Sequence, residues 1–425
     1  MRCFGVYPGF LLLLCGSTEA ASETGRRSVR GCRLSGSCYG LGTAGGLYAN
    51  FDRHDSYKAL SAGKEEGVFV RELSGGAGEV RFVSSGGAPH TAWDGSGFYN
   101  GGRYHRGSLT SPIHEPATRF DTLIPSWNAA TPASTWVQLE IRVRSGGAWT
   151  RWFNMGVWAS GTESLKRHSV SGQEGEGWEV LTDTLQSRGP VCADSYQYRL
   201  TLFTEMWGVS PRAWGVFVVA SDSHRHGECL GLAADEGSWG RELAVPARSQ
   251  MVYEEGGEAW CSPASLSMVL AYWAGKTGNA SLDQPVPAAA QGTYDHVYEG
   301  NGNWPFNAAY ASSFGLKASV IRFGLGQVER WVAYGVPVVA SVAWGAGELA
   351  GAPIPASEGH LLVIRGFDAL GDVITNDPAG RDDSQVRRVY HRDEFVRAWA
   401  NGSGGVAYLV YPDGWGVPDG AHGSW

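Results

Sequence analysis

Three widely separated segments carry residue types that could together perform acyl transfer. They are Trp260-Cys261-Ser262-Pro263, Gly359-His360, and Asn376-Asp377-Pro378. A thiol attacks a carbonyl only as its thiolate, and the N–H groups at a helix N-terminus favour that anion. The nucleophile also needs a base, a group that orients the base, and donors for the oxyanion. Cys261 is the candidate nucleophile, His360 the candidate base and Asp377 the candidate orienting group.

These residues need elements to hold them together. Leu266, Val269, Leu270 and Trp273 recur at i, i+3, i+4 and i+7, one apolar stripe along a helix. Ser262 suits its N-cap and Pro263 its first helical position, and Gly275 is placed to stop it. Cys261 therefore belongs at the mouth of a helix. Further helices are expected over Trp304 to Phe314 and Val328 to Tyr334. Val338 to Val342, His360 to Arg365, Val373 to Asn376 and Val406 to Tyr411 read as strands. If Asp368 to Gly371 closes a hairpin, opposed residue numbers total 739 and Asp377 faces Leu362, diagonal to His360 on one face. Asp377 then reaches one imidazole nitrogen and leaves the other for the Cys261 sulfur, while Asn376 points to the opposite face. Helices first and a sheet after them predict an α+β layout.

Gln250, Trp260-Cys261-Ser262-Pro263-Ala264, Gly359-His360 and Asn376-Asp377-Pro378-Ala379 resemble the C39-like cysteine peptidases of the papain-like clan, over about residues 243 to 412. The resemblance implies Cys261 as nucleophile, His360 as general base and then acid, and Asp377 as the orienting residue. It implies Gln250 as side-chain donor of an oxyanion hole, with the Cys261 backbone N–H as the second donor. The Gly256-Gly257 loop leaves open that Glu254 or Glu255 approaches the site instead. The family's Cys-Gly-Pro stands here as Cys-Ser-Pro, which adds a side chain beside the nucleophile. Nothing resembling an ATP-binding cassette or membrane segments follows, so a freestanding secreted relative is the better match.

The N-terminal half has another texture. Val137, Leu139, Ile141 and Val143 alternate with Gln138, Glu140, Arg142 and Arg144, and Tyr196, Tyr198, Leu200 and Leu202 repeat the period. Such strands, with a total of 61 glycines to turn them, predict an all-β sandwich. Trp127, Trp136, Trp149, Trp152 and Trp158 read first as core packing, with stacking on a surface glycan as the second reading. His90, His105, His114 and His168 read as surface or structural residues.

At 425 residues the chain is long enough for two domains, and a charge of -8 without a basic face argues against nucleic acid as partner. Met1-Arg2, the apolar run at Phe10 to Leu14 and small residues near Ala21 resemble a signal peptide. Pairing Cys32 with Cys38 and Cys192 with Cys229 would leave Cys261 as the unpaired thiol. No cysteine or histidine spacing, His224 with His226 included, suggests a metal site.

The expectation is a signal peptide over 1–21, a linker over 22–45, an all-β sandwich over 46–225, and a papain-like, C39-like cysteine peptidase domain over 240–415. It needs no cofactor or metal and has no membrane span. Its partner is a peptide or protein substrate, cleaved outside the cell through a thioester. Two rivals stand beside it: a cell-wall amidase or acyltransferase with the same triad, and a non-catalytic protein that binds surface glycans through its Trp-rich sandwich.

Overall fold

The computed structural model describes residues 49–82, 90–225 and 234–418. The expected signal peptide and linker, and Cys32, Cys38, Cys229 and His226, lie outside the described residues. The chain is mixed α/β and rich in strands, gathered into three antiparallel sheets. Among the described residues no helix is long and apolar enough to cross a membrane.

Two of the sheets belong to the N-terminal part. One runs Glu174–Gly175, Trp178–Leu181, Thr184–Ser187, Thr122–Ala130, Arg212–Ser221, Gly78–Phe82, Val68–Glu72, with Ala49–His54 also on Arg212–Ser221. The other is centred on Thr135–Ser145 and Ala193–Thr204, whose alternation sets the register: Ile141 opposes Tyr198, and Leu139 opposes Leu200. Those four side chains are buried. On the opposite face Arg199 grips Glu140 with two bonds of 2.7 and 2.8 Å. Trp127, Trp136, Trp158 and Trp178 are fully buried, as large aromatics in a core are. Trp149 and Trp152 are half-buried, and the Arg142 guanidinium lies 4.7 Å from each ring centroid.

The C-terminal part begins on a helix, Cys261–Thr277, with Trp260 as its N-cap. Helical geometry thus starts earlier than the Ser262 cap suggested, and Cys261 itself is the first helical residue. Pro263 sits in the first turn, where its missing N–H is still harmless. Gly275 is inside the helix. The stop is Gly278 at φ 72°, a left-handed conformation that glycine adopts without a Cβ clash. The following helices are Val286–Thr293, Trp304–Ser312 and Leu325–Ala333.

The third sheet runs Leu316–Arg322, Val406–Pro412, Val338–Trp344, Ser357–Phe367, Val373–Asn376, Arg387–Tyr390. Val363 opposes Asn376 and Ile364 opposes Thr375, so Asp377 follows in line with Leu362, as the hairpin arithmetic required. The turn is one residue longer than expected, since Phe367 opposes Val373. A bulge at Arg365 restores the register before it reaches His360.

The two parts are joined by buried polar groups as well as by a common core. Leu316–Arg322 is the edge strand of the third sheet, and an edge exposes unpaired N–H and C=O groups. Here side chains of Thr122–Ala130 occupy that edge. Asn128 Nδ2 donates to the Ala318 carbonyl at 2.6 Å, its Oδ1 accepts from the Ala318 N–H at 3.3 Å, and Ser126 Oγ accepts from the Val320 N–H at 3.0 Å. Nearby Phe306 packs edge-on against Trp127 and Trp158. The contact is so close that a Cβ at Gly156 would stand 2.9 Å from the Phe306 ring. Buried Arg167 completes the joint, donating to the Ala159 and Ser160 carbonyls of one part and to those of Gln291 and Tyr294 in the other. Asn128→Ala leaves two buried backbone groups without their partner at the edge. It is expected to lower unfolding free energy by about 3 kcal/mol in a denaturant titration.

A second buried cluster carries a pH consequence. His54 Nε2 lies 3.1 Å from the Tyr196 hydroxyl, which donates to Asp52 Oδ2 at 2.6 Å. Burial, then the neighbouring His114, lower the His54 pKa to about 3, against an opposing pull from Asp55. The unfolded chain, with histidine near 6.5, therefore binds the extra proton. Stability is whole above about pH 6.5 and falls as pH drops toward 3. The melting temperature is expected to decline over that window, and His54→Gln to decline less steeply from pH 6.5 to 4 in matched buffers.

Candidate active site

Cys261 opens its helix and is buried, only 5% exposed, and it lines a cavity of about 390 Å³. It remains a thiol, whereas Cys192 is disulfide-bonded. The helix rests on the strand that carries His360. Ser265, one turn beyond Cys261, donates to the Leu361 carbonyl at 3.0 Å, and Cys261, Gly359 and Leu361 line the same cavity. Ser262 points into the protein, its hydroxyl 3.0 Å from that of buried Tyr408.

His360 Nε2 and Asp377 Oδ1 are 2.7 Å apart, and neither side chain has solvent exposure. Burial alone would raise the Asp377 carboxyl. The His360 imidazole, the Tyr390 hydroxyl at 2.6 Å and the Ala379 N–H at 2.9 Å outweigh it and hold the carboxyl below its usual range. The reverse side of the pair shows in Tyr390, whose burial beside that carboxylate raises its own pKa strongly. Trp344 sets its ring edge-on to His360, with centroids 5.6 Å apart, and closes that side against water. Asp377 faces Nε2, so Nδ1 lies on the other side of the ring. Asn376 turns away, as expected, and donates to the Val245 and Pro246 carbonyls.

Gln250 is buried beside these groups. Its backbone N–H donates to the Pro378 carbonyl at 2.9 Å, next to Asp377, and its Nε2 donates to the Gly257 carbonyl at 2.6 Å. One of the two amide N–H donors is thereby anchored. Glu254 and Glu255 are exposed, and neither lines the cavity that holds Cys261. Among the described residues no group of three His, Cys, Asp or Glu side chains is arranged to hold a metal ion.

Two residues of this surround had no local signal in the sequence. Tyr390 reaches Asp377 because Arg387–Tyr390 pairs with Val373–Asn376, and Trp344 reaches His360 across a bulged pairing of Val338–Trp344 with Ser357–Phe367. Only knowledge of the strand order would have found them.

Comparison with known proteins supplies the family. Residues 50–221 match the peptidase C39 N-terminal domain, and residues 242–406 match the Peptidase_C39 like family. No curated protein matches the chain. Among solved structures the C-terminal CBM6 of LamC from Zobellia galactanivorans is similar at 12% identity, over 40% of this chain and 98% of that chain. Its TM-score of 0.20 is too low to carry an argument. Over these two stretches the chain matches a C39-like peptidase with its N-terminal domain.

Proposed function

We propose that this chain is a cysteine peptidase of papain-like build, acting outside the cell, with Cys261, His360 and Asp377 as its triad and an N-terminal β-sandwich. The observation that carries the reading is the buried His360 Nε2 to Asp377 Oδ1 contact of 2.7 Å beside a helix that begins on Cys261. Asp377 fixes the imidazole tautomer and offsets the positive charge that forms on the ring. The helix N-terminus favours the anionic sulfur.

In this mechanism the Cys261 thiol gives its proton to His360, the sulfur adds to the scissile carbonyl carbon, and the carbonyl π electrons move to oxygen. The Cys261 N–H and the Gln250 amide, steadied on Gly257, receive the oxyanion. Collapse expels the amine, which takes its proton from His360, and leaves a thioester. Water then gives a proton to His360 and adds to the thioester carbon. The second collapse releases the acid and expels the sulfur, which takes the proton back from His360. Disulfide-bonded Cys192 supports an oxidising compartment, in keeping with the signal-like residues 1–21.

Peptide hydrolysis is expected to fall at least about 1000-fold in Cys261→Ala and His360→Ala, with circular dichroism unchanged. Hydrolysis that survives Cys261→Ala would end the proposal. Tyr390→Phe removes a donor that holds the Asp377 carboxyl down. Its carboxyl therefore rises, and the acid limb of the pH–rate profile is expected to shift to higher pH, with kcat down about tenfold. An unmoved acid limb would remove Tyr390 from the machinery.

A further inference from the structure

The cavity that holds Cys261 is walled by both halves of the chain. Cys261, Tyr298 and Leu361 line it from the C-terminal part, and Val170, Leu181 and Thr182 from the N-terminal part. Leu181 and Thr182 lie at the tip of the hairpin joining Trp178–Leu181 to Thr184–Ser187. There the Asp183 N–H closes on the Leu181 carbonyl at 2.5 Å, a γ-turn that sets Thr182 at φ 55°. A β-branched residue in the left-handed region is strained and persists only where its surroundings over-determine it.

The clamp is visible. Asp183 is buried, and its Oδ2 accepts from the N–H of Trp304, first residue of the helix Trp304–Ser312, at 2.8 Å. Its Oδ1 accepts from the Thr184 hydroxyl at 3.0 Å. Beside Val170, the Ser169 N–H donates to Asp295 Oδ1 at 3.0 Å. Both N-terminal segments are thus held against the cavity by hydrogen bonds to the C-terminal part. A wall fixed this way is not a detachable cap, because removing it takes the Asp183 acceptor from Trp304 and the Asn128 amide from the edge strand.

Among the lining residues of the N-terminal part the apolar ones are Val170, Val180 and Leu181, beside Ser171 and Thr182. Val170 and Leu181 are only half-buried, so each keeps surface for a ligand to cover. The Asp183 carboxylate is engaged by Trp304 and Thr184, and the other acidic lining residue, Glu358, is exposed. A volume of about 390 Å³ suits a side chain or two and a stretch of backbone, not a folded partner.

We infer that the N-terminal domain is a permanent wall of the substrate cleft, and that Val170 and Leu181 select peptides with a bulky apolar side chain on the residue whose carbonyl Cys261 attacks. The inference rests on Cys261 being the nucleophile, so the test reads the thiol separately. Full-length wild type, Leu181→Ala and Val170→Ala are assayed on fluorogenic peptide amides that differ only at that residue: Gly, Leu, Phe, Glu or Lys. Iodoacetamide labelling of Cys261 is timed in parallel.

Wild type is expected to favour Leu or Phe over Gly by more than about tenfold in kcat/KM. Each variant should erase most of that margin through KM, with the Cys261 labelling rate unchanged. A labelled, active wild type with no apolar preference, or a preference that both variants retain, overturns the wall. Absence of a reactive thiol at Cys261 in wild type overturns the nucleophile, and the wall with it.

Discussion

A carboxylate with no solvent exposure is the constraint around which the C-terminal part is organised. Asp377 is tolerable inside the protein only because its oxygens accept from His360, Tyr390 and the Ala379 N–H. Each donor comes from a different place: the neighbouring strand, the next strand outward, and the turn that follows Pro378. The hairpin register, the order of the last three strands and the Ala379 turn must all be right for that one charge to be satisfied. Removing any donor leaves a buried charge short of a partner, which costs more than the bond itself contributes. The imidazole is therefore held in one orientation.

The same logic governs the joint between the two parts. The edge strand Leu316–Arg322 and the start of the helix Trp304–Ser312 both present backbone groups that must be paired. Asn303 accepts from the Phe306 N–H through its own side chain, whereas the Trp304 N–H is met by Asp183 from the N-terminal part. Asn128 and Ser126 do for the edge strand what another strand would otherwise do. The N-terminal part thus completes the hydrogen bonding of the C-terminal part, and its hairpin tip reaches the Cys261 cavity as a consequence of that docking.

Much of the site was legible because its signals are local. The apolar stripe from Leu266 to Trp273 placed a helix behind Cys261, and period-two alternation placed Asp377 diagonal to His360. The hairpin reading succeeded through two offsetting features, a turn one residue longer than expected and a bulge at Arg365. The helix boundaries were less legible. Ser262 and Gly275 are residue types that favour helix ends, but Ser262 is drawn inward by Tyr408 and Gly275 is carried within the helix. Tyr390, Trp344 and the Asn128 joint were not legible at all. Asn128 and Ala318 are 190 positions apart, and nothing in either neighbourhood announces the other.

The central claim is that the buried Asp377–His360 pair serves acyl transfer to the Cys261 sulfur. Mass spectrometry of the full chain, acid-quenched during turnover of a peptide substrate and then digested, tests it most directly. The account predicts that the peptide bearing Cys261 carries the acyl half of the substrate as an adduct removed by hydroxylamine. Turnover with no adduct on Cys261, or with the adduct on another residue, would contradict it.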